Sequence, residues 1–468
     1  MSGFFGVVSK TKCVEDVFYG TDYHSHLGTK RAGMVFDVPG KGFRRSIHSL
    51  ENAYFRNSFE SNLPDFDGNV GMGVISDTDP QPLIINSHLG MFSIVTVCRL
   101  NNIVELGKKF LAQKVHFMEN FEGSINPTEI IANLICEKDD FVSGIENVYN
   151  NIKGSCSLLI LINGSIIAAR DKLGRTPIVI GKKEGAYAVA SESCSFPNTG
   201  YGIDYFVGPG EIVHIKEDGY TQLRKPNKQM QLCSFLYVYF GYPNSSYEGI
   251  NVEETRYRCG ACLAKKDSLQ ADSCSGIPDS GVGHAYGYCS EKKIPYKRVY
   301  CKYTPTWPRS FMPQNQLHRD LVARMKLIPN KVFIEGEKMA LLDDSIVRGT
   351  QLRDNTRDLR ESGAGEIHMR IACPPLLFPC EFLNFSQSRT PLELIGRRVI
   401  GELEGDDTKY LEDYSNPDSP RYKKMVQVIA EKLGLDSLIY QRLDDLVKAI
   451  GLPKEKLCTH CWDGSSYS

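Results

Sequence analysis

"LLDDSIVRGTQ", residues 341–351, joins an apolar run to two adjacent carboxylates and then to Ser, Arg, Gly and Thr. Neighbouring aspartates repel one another and gain nothing from packing, so their place at the end of a buried strand implies a ligand. After the acids, "SIVRGT" opens a helix, where backbone N–H groups and hydroxyls converge on a positive helix end suited to a phosphate. Asp343 and Asp344 stand beside it, placed to bind vicinal hydroxyls or a hydrated Mg²⁺. Phosphate, diol and metal together describe a ribose 5-phosphate that carries a diphosphate.

From about residue 250 the chain alternates helix and strand. "VEETRYRCGACLAKK" and "LHRDLVARMKL" read as helices, "EKMALLDDS" as a strand, "TQLRDNTRDLRESGA" as a helix and "GEIHMRIACPP" as a strand. Such alternation implies a mainly parallel sheet, whose ligands sit at the carboxyl ends of its strands. "SLIYQRLDDLVKAIGL" reads as an amphipathic helix in the tail. The first ~225 residues are different: short β-prone runs such as "GNVGMGVIS" and "SCSLLILINGSIIAARD", punctuated by Gly and Asn. "NPTEIIANLICEKD" reads as a helix capped by Asn126, and "PGEIVHIKEDG" as a closing hairpin. The polar stretch "TQLRKPNKQMQ" (221–231) is the best linker candidate.

Composition limits the function classes. Lys+Arg 55 against Asp+Glu 56 leaves no electrostatic footprint for nucleic acid or an anionic membrane. No apolar run approaches the ~20 residues of a bilayer span, and "MSGFFGVVSK" has no useful basic n-region or h-region, so a cytoplasmic protein is expected. In a reducing compartment its 15 cysteines are expected to be buried thiols or metal ligands rather than disulfides. Two C-x-x-C pairs stand out, Cys259/Cys262 and Cys458/Cys461.

The stretch "DDSIVRGT" resembles the phosphoribosylpyrophosphate (PRPP) motif of type I phosphoribosyltransferases, in the form typical of the amidophosphoribosyltransferase family. "RDKLGRTP" (170–177), "SESCS" (191–195), "PGEIV" (209–213), "LYVYFGYPNS" (236–245), "IPDSG" (277–281), "GAGEIHMRIACPP" (363–375) and "CTHCWDG" (458–464) resemble its landmarks in order. The resemblance implies an α/β protein: an N-terminal Ntn-hydrolase-like α/β/β/α sandwich over 1–230, then a type I phosphoribosyltransferase parallel sheet over 231–405. A C-terminal helical tail over 406–468 would follow. It also implies that Ser280, Asp343 and Asp344 surround the Mg²⁺-diphosphate-ribose, and that Ser345, Ile346, Val347, Arg348, Gly349 and Thr350 hold the 5-phosphate. Gln351 departs from the family's second Thr. Small-molecule substrates and a homo-oligomer, dimer or tetramer, are implied as well.

The iron–sulfur members of the family use four cysteines that correspond here to Cys233, Cys380, Cys458 and Cys461, so a 4Fe–4S cluster is implied, with zinc as the alternative occupant. Cys259 and Cys262 match no family ligand and read as packing residues.

The family's first domain is a glutaminase whose N-terminal Cys attacks glutamine with its own α-amine as base. This chain has Ser2 at that position. The carboxylate-binding Arg is replaced in "GVISD" (73–77), which offers Ser76 and Asp77. The oxyanion segment becomes "RLNN", Arg99 to Asn102, with Leu100 where the donor Asn is expected. The ammonium-binding Asp falls at Pro127, and Leu27 replaces another Arg. An inactive glutaminase remnant is expected, the alternative being a Ser-dependent amidase. The loop that closes over PRPP also differs: Arg309, Phe311, Gln316 and Arg319 remain, Lys302 lies near the family Lys, and Pro308 replaces a Gly. Lys302 and Arg309 join the acidic pair as candidate catalytic residues. Together these features imply a phosphoribosyltransferase whose acceptor is ammonia, another amine or a nucleobase, run forward or in reverse. The alternatives are a silent PRPP- or nucleotide-binding regulator, or ammonia-dependent purine synthesis.

Overall fold

The computed structural model describes residues 2–51, 53–121, 123–303, 327–384 and 390–465. The front half is built from two antiparallel sheets. The first has seven strands, in the order Gly202–Phe206, Val179–Lys183, Ala186–Ala190, Gly3–Ser9, Val70–Ser76, Arg31–Val38, Gly42–Ser49. The second has six, in the order Gly219–Arg224, Ile212–Lys216, Ser165–Ala169, Gly154–Ile162, Gly90–Leu100, Leu83–Ser87. Strand 3–9 shows why the central runs are apolar throughout. Its Phe4 and Val8 enter the core shared by the two sheets, and its Phe5 and Val7 enter the layer under helix Val14–Asp22. Side chains alternate across a strand, so a strand covered on both faces has no solvated position. Helices Pro127–Cys136 and Phe141–Asn151 cover the other sheet, completing an α/β/β/α stack. As the sequence suggests, Asn126 caps the first of these, accepting from the N–H groups of Thr128 and Glu129.

The back half carries a four-stranded parallel sheet in the order Ser273–Gly276, Lys338–Asp343, Glu366–Ile371, Ser437–Tyr440. Helices Val252–Lys266 and Thr350–Glu361 fall where the sequence places them, and helix Val282–Lys292, not read from the sequence, follows strand Ser273–Gly276. The strand that ends at Asp343 is interior, and both its neighbours run with it, so the acids emerge at the carboxyl edge of the sheet.

Three readings need correction. The linker candidate 221–231 begins inside strand Gly219–Arg224, whose polar residues face solvent along a hairpin edge. The stretch "SLIYQRLDDLVKAIGL", read as one helix, is two elements: "SLIY" is the fourth parallel strand, paired with His368–Ile371, and the helix proper is Leu443–Ile450. The cysteines are not all thiols. Cys274 on its strand and Cys289 on the facing helix, with Cα atoms 6.2 Å apart, form a disulfide. The helix read at "LHRDLVARMKL" lies outside the described residues, except for Leu327, which belongs to strand Leu327–Pro329.

Candidate functional site

Strand Lys338–Asp343 ends in a cleft of about 630 Å³. Its polar floor is Ser280, Asp343, Asp344 and the whole of Ser345–Thr350, every residue the sequence assigned to the sugar phosphate. The loop bearing Ser280 is tied to the strand by the N–H of Ile277, which donates to the carbonyl of Leu342 at 2.8 Å. Gly281 permits that approach, because a Cβ there would collide with the same carbonyl. Gly349 has φ +75°, and a Cβ on it would lie 2.6 Å from Ile395 Cδ1. Its left-handed conformation turns the loop into helix Thr350–Glu361 and leaves the first N–H groups of that helix open to an anion.

The acidic pair is electrostatically unbalanced. Asp343 Oδ1 accepts from the Asp344 N–H at 2.9 Å and from the Ser280 hydroxyl at 3.4 Å, while the Ser345 hydroxyl donates to Asp344. Burial, and for Asp343 the adjacent Asp344 carboxylate, hold both carboxyls above the ordinary carboxylate range. Two desolvated carboxyls short of positive charge fit a divalent cation with an oxygen donor set. Lys302, read from the sequence as catalytic, is not among the residues that line the cleft; its Nζ is paired with Asp279, next to Ser280. Arg348 points outward to Glu393. Arg309 lies outside the described residues.

The same cleft is also lined by aromatic and apolar side chains: Phe235, Tyr239, Phe240 and Phe378, with Leu376 and Leu394. Residues Leu236–Phe240 form a π-helical turn, a form frequent at functional sites. Arg256 holds that turn, donating to the carbonyls of Tyr237, Tyr239 and Gly241 at 3.1, 2.9 and 2.8 Å. The sequence reading missed Arg256, since a single Arg inside a helical run carries no signal. It also missed Asn355, one turn beyond the phosphate loop, and Phe378, although both line the cleft.

The four cysteines meet behind the cleft. A two-residue parallel ladder sets Cys233 opposite Cys458, and all four thiols line one small closed cavity with Arg175, Phe382 and Trp462. Cys380 is pulled down to about 6, first by a hydrogen bond from Cys461, then by the N–H groups of Phe382 and Leu383 and by Arg99. Among the described residues no three His, Cys, Asp or Glu are posed to hold a metal ion. Four cysteines lining one cavity fit, in number and type, a cluster with one thiolate per corner. Cys380 and Cys461 also line the main cleft, so this centre backs the substrate cleft. Cys259 is buried and donates to the Ala372 carbonyl at 3.1 Å.

In the front half, Ser2 is buried, its hydroxyl 3.5 Å from that of Ser76. Leu27 lies over the first strand, where a Cβ on Gly3 would sit 2.5 Å from Leu27 Cδ1, and it joins the apolar core of the back half. Asp77 accepts from the N–H and hydroxyl of Thr29. Asn102 donates to the Asn151 carbonyl and accepts from the Lys153 N–H, both at 2.9 Å. Arg99 and Asn101 donate to the carbonyls of Leu383 and Glu381, away from Ser2. Pro127 opens a helix.

A glutamine amidotransferase domain model matches residues 70–198. The amidophosphoribosyltransferase of Methanocaldococcus jannaschii is 31% identical, the match covering 99% of this chain and 97% of that protein. The Bacillus subtilis enzyme of the same name is 30% identical over 96% and 89%. Among solved structures, the glutamine PRPP amidotransferase from B. subtilis complexed with ADP and GMP superposes with a TM-score of 0.84 at 28% identity, covering 99% of this chain and 96% of its own.

Proposed function

The chain belongs to the amidophosphoribosyltransferase family, and we propose that its back half is a Mg²⁺-dependent phosphoribosyltransferase while its front half no longer hydrolyses glutamine. The relatives named above are pentosyltransferases that use PRPP. One observation supports the reading: the phosphate loop, the acidic pair and a group of aromatic side chains line a single cleft. Residues Ser345–Thr350 hold the 5-phosphate through N–H groups and hydroxyls. Asp343 and Asp344 accept the ribose hydroxyls and fix C1 in line with the acceptor. A Mg²⁺ between Ser280, Asp343 and Asp344 would supply the positive charge that a departing diphosphate requires. Lys302, paired with Asp279 next to Ser280, is the proposed residue on the diphosphate side. An oxocarbenium-like transition state then needs positioning and charge more than covalent help.

The aromatic lining favours a planar acceptor, a nucleobase, over ammonia, because every base has a face to stack and ammonia has none. The same site serves the reverse reaction, which removes phosphoribose from a nucleotide. For the front half, support comes from the fate of its polar positions. Leu27 fills space beside Ser2, Asp77 and Asn102 are consumed by local backbone, and Arg99 and Asn101 face the other half. Losing one oxyanion donor already costs on the order of 10²–10³ in rate. The division at 1–230, 231–405 and 406–468, a 4Fe–4S cluster on Cys233, Cys380, Cys458 and Cys461, and a cytoplasmic homo-oligomer complete the proposal. No described helix is long and apolar enough to cross a membrane.

The test is diphosphate release from PRPP and Mg²⁺ with a panel of nucleobases, ammonium and glutamine as separate acceptors, and the reverse reaction from nucleotide plus diphosphate. Turnover with a base but not with glutamine is expected. Glutamine-dependent release with glutamate formation would overturn the front-half reading. No release with any acceptor, and no calorimetric heat with PRPP or nucleotides, would overturn the whole.

A further inference from the structure

We propose that the end of strand Gly90–Leu100 and the turn after it serve as a positioning clamp for Cys380, with Arg99 and Asn101 as its principal residues. The proposal rests on the reading that the four cysteines hold an iron–sulfur cluster. All four residues that follow Cys380 are held by the front half. Asn101 Nδ2 donates to the Glu381 carbonyl at 2.7 Å. The Arg175 guanidinium lies 3.7 Å from the centre of the Phe382 ring. Arg99 Nη1 donates to the Leu383 carbonyl at 3.0 Å, and Asn384 Nδ2 donates to the Cys98 carbonyl at 3.1 Å. Arg99 and Asn101 are locked to each other as well, through Arg99 Nε and Asn101 Oδ1 at 3.1 Å.

The loop in turn controls the thiol. The Leu383 N–H donates to Cys380 Sγ at 3.3 Å, so the group that Arg99 grips by its carbonyl also orients the sulfur through the neighbouring amide. Cys233 and Cys458 are fixed by their parallel ladder, and Cys461 by helix His460–Asp463. Cys380 has no such element: the described chain around it is irregular from Ala372 to Asn384. A ligand on an irregular loop keeps its geometry only through its outer contacts. Before Cys380 the loop is held by His460 and the Cys461 carbonyl, and after it chiefly by "RLNN", the segment whose family counterpart serves the glutaminase. Arg99 and Asn101 therefore give the front half a role that does not depend on cutting an amide.

The test uses the full-length chain, purified without oxygen and loaded with iron and sulfide. Wild type, Arg99→Ala/Asn101→Ala and, as a front-half control, Arg224→Ala are compared by iron per chain, visible absorbance and its decay in air. Electron paramagnetic resonance of the reduced protein is recorded for each. The double variant is expected to lose iron about tenfold faster, the scale on which outer-shell partners act, with altered resonance positions, while Arg224→Ala behaves as wild type. Arg99→Lys/Asn101→Gln should restore part of the retention. If the double-alanine chain does not fold, Asn101→Leu alone is measured, and faster iron loss is again expected. A loaded wild type whose variants keep iron equally well and give the same spectrum would overturn the clamp. A wild type that takes up no cluster would instead overturn the cluster reading itself.

Discussion

The front and back halves each preserve the outline of a catalytic site, and the two differ in what their polar groups are doing. At the carboxyl edge of the parallel sheet, Asp343 and the buried Asp344 lie side by side on a cleft of about 630 Å³, their carboxyls held above the ordinary range although the Arg256 charge offsets part of this at Asp344. In the front half, by contrast, the polar positions that the family resemblance points to are already engaged: Asp77 by Thr29, Asn102 by the backbone at Asn151 and Lys153. A working site keeps groups whose demand only a ligand meets, and holds them at a cost to the folded state. Where that demand is absent, polar side chains are free to take structural partners and apolar ones such as Leu27 to fill the space. The contrast separates a poised site from a packed one.

The sharpest break of this comparison is at the acidic pair. Asp343→Asn keeps the shape and removes a charge, so PRPP turnover should fall on the order of 10²–10³-fold, the scale of one preorganised electrostatic contact. A steady-state diphosphate assay checks it, and unchanged turnover would mean that the cleft is not the site of chemistry. Tyr239→Ala probes the aromatic lining. Losing one stacking face should raise the KM for a planar acceptor about tenfold, with kcat for ammonium, if it is used, unchanged. Equal effects on both acceptors would show that the ring only supports the fold.

Much of the poised site was legible in the sequence because its signal is local. An apolar strand, two acids, a glycine that must adopt φ +75° and a helix start lie within eleven consecutive residues. What stayed illegible depends on partners distant in the chain. Arg256 matters because its guanidinium meets three carbonyls of the turn after Leu236. The Cys274–Cys289 disulfide needs a strand and a helix to face each other. Strand Ser437–Tyr440 was absorbed into the helix after it because four residues are too few to display a period of two against one of 3.6. The contacts of Arg99 and Asn101 with residues 381–383 cross nearly 300 positions, and a reading of "RLNN" as a degraded oxyanion segment could only record what was missing.

The unbalanced charge has a smaller consequence for stability. Both carboxyls are held above their ordinary range, so the folded chain retains protons that the unfolded chain releases. Stability from this source is greatest below the unfolded carboxylate pKa of about 4 and declines as pH rises from there toward the raised folded values. At neutral pH without metal, Asp343→Asn should therefore melt about 2 °C above wild type, and Mg²⁺ should narrow the gap by stabilising only the wild type. Melting curves across pH with and without Mg²⁺ measure this. A variant that melts lower at every pH would show that the pair is compensated by neighbouring charge such as Arg256.

The smallest expected effect falls on the packed site, where the comparison is most exposed. Ser2→Ala removes the one hydroxyl that an N-terminal-nucleophile mechanism cannot do without, yet leaves a residue of nearly equal volume in a buried position. Its hydroxyl lies 3.5 Å from that of Ser76, a long and weak hydrogen bond. The loss should be within about 0.5 kcal/mol of stability, and turnover of PRPP with a base or with ammonium should be unchanged. Incubation with glutamine and analysis for glutamate completes the measurement. If wild type releases glutamate and Ser2→Ala does not, the hydroxyl is a nucleophile after all, and engaged neighbours are no guide to a lost function. If neither releases it, the front half is kept for its contacts with the back half rather than for chemistry at its first strand.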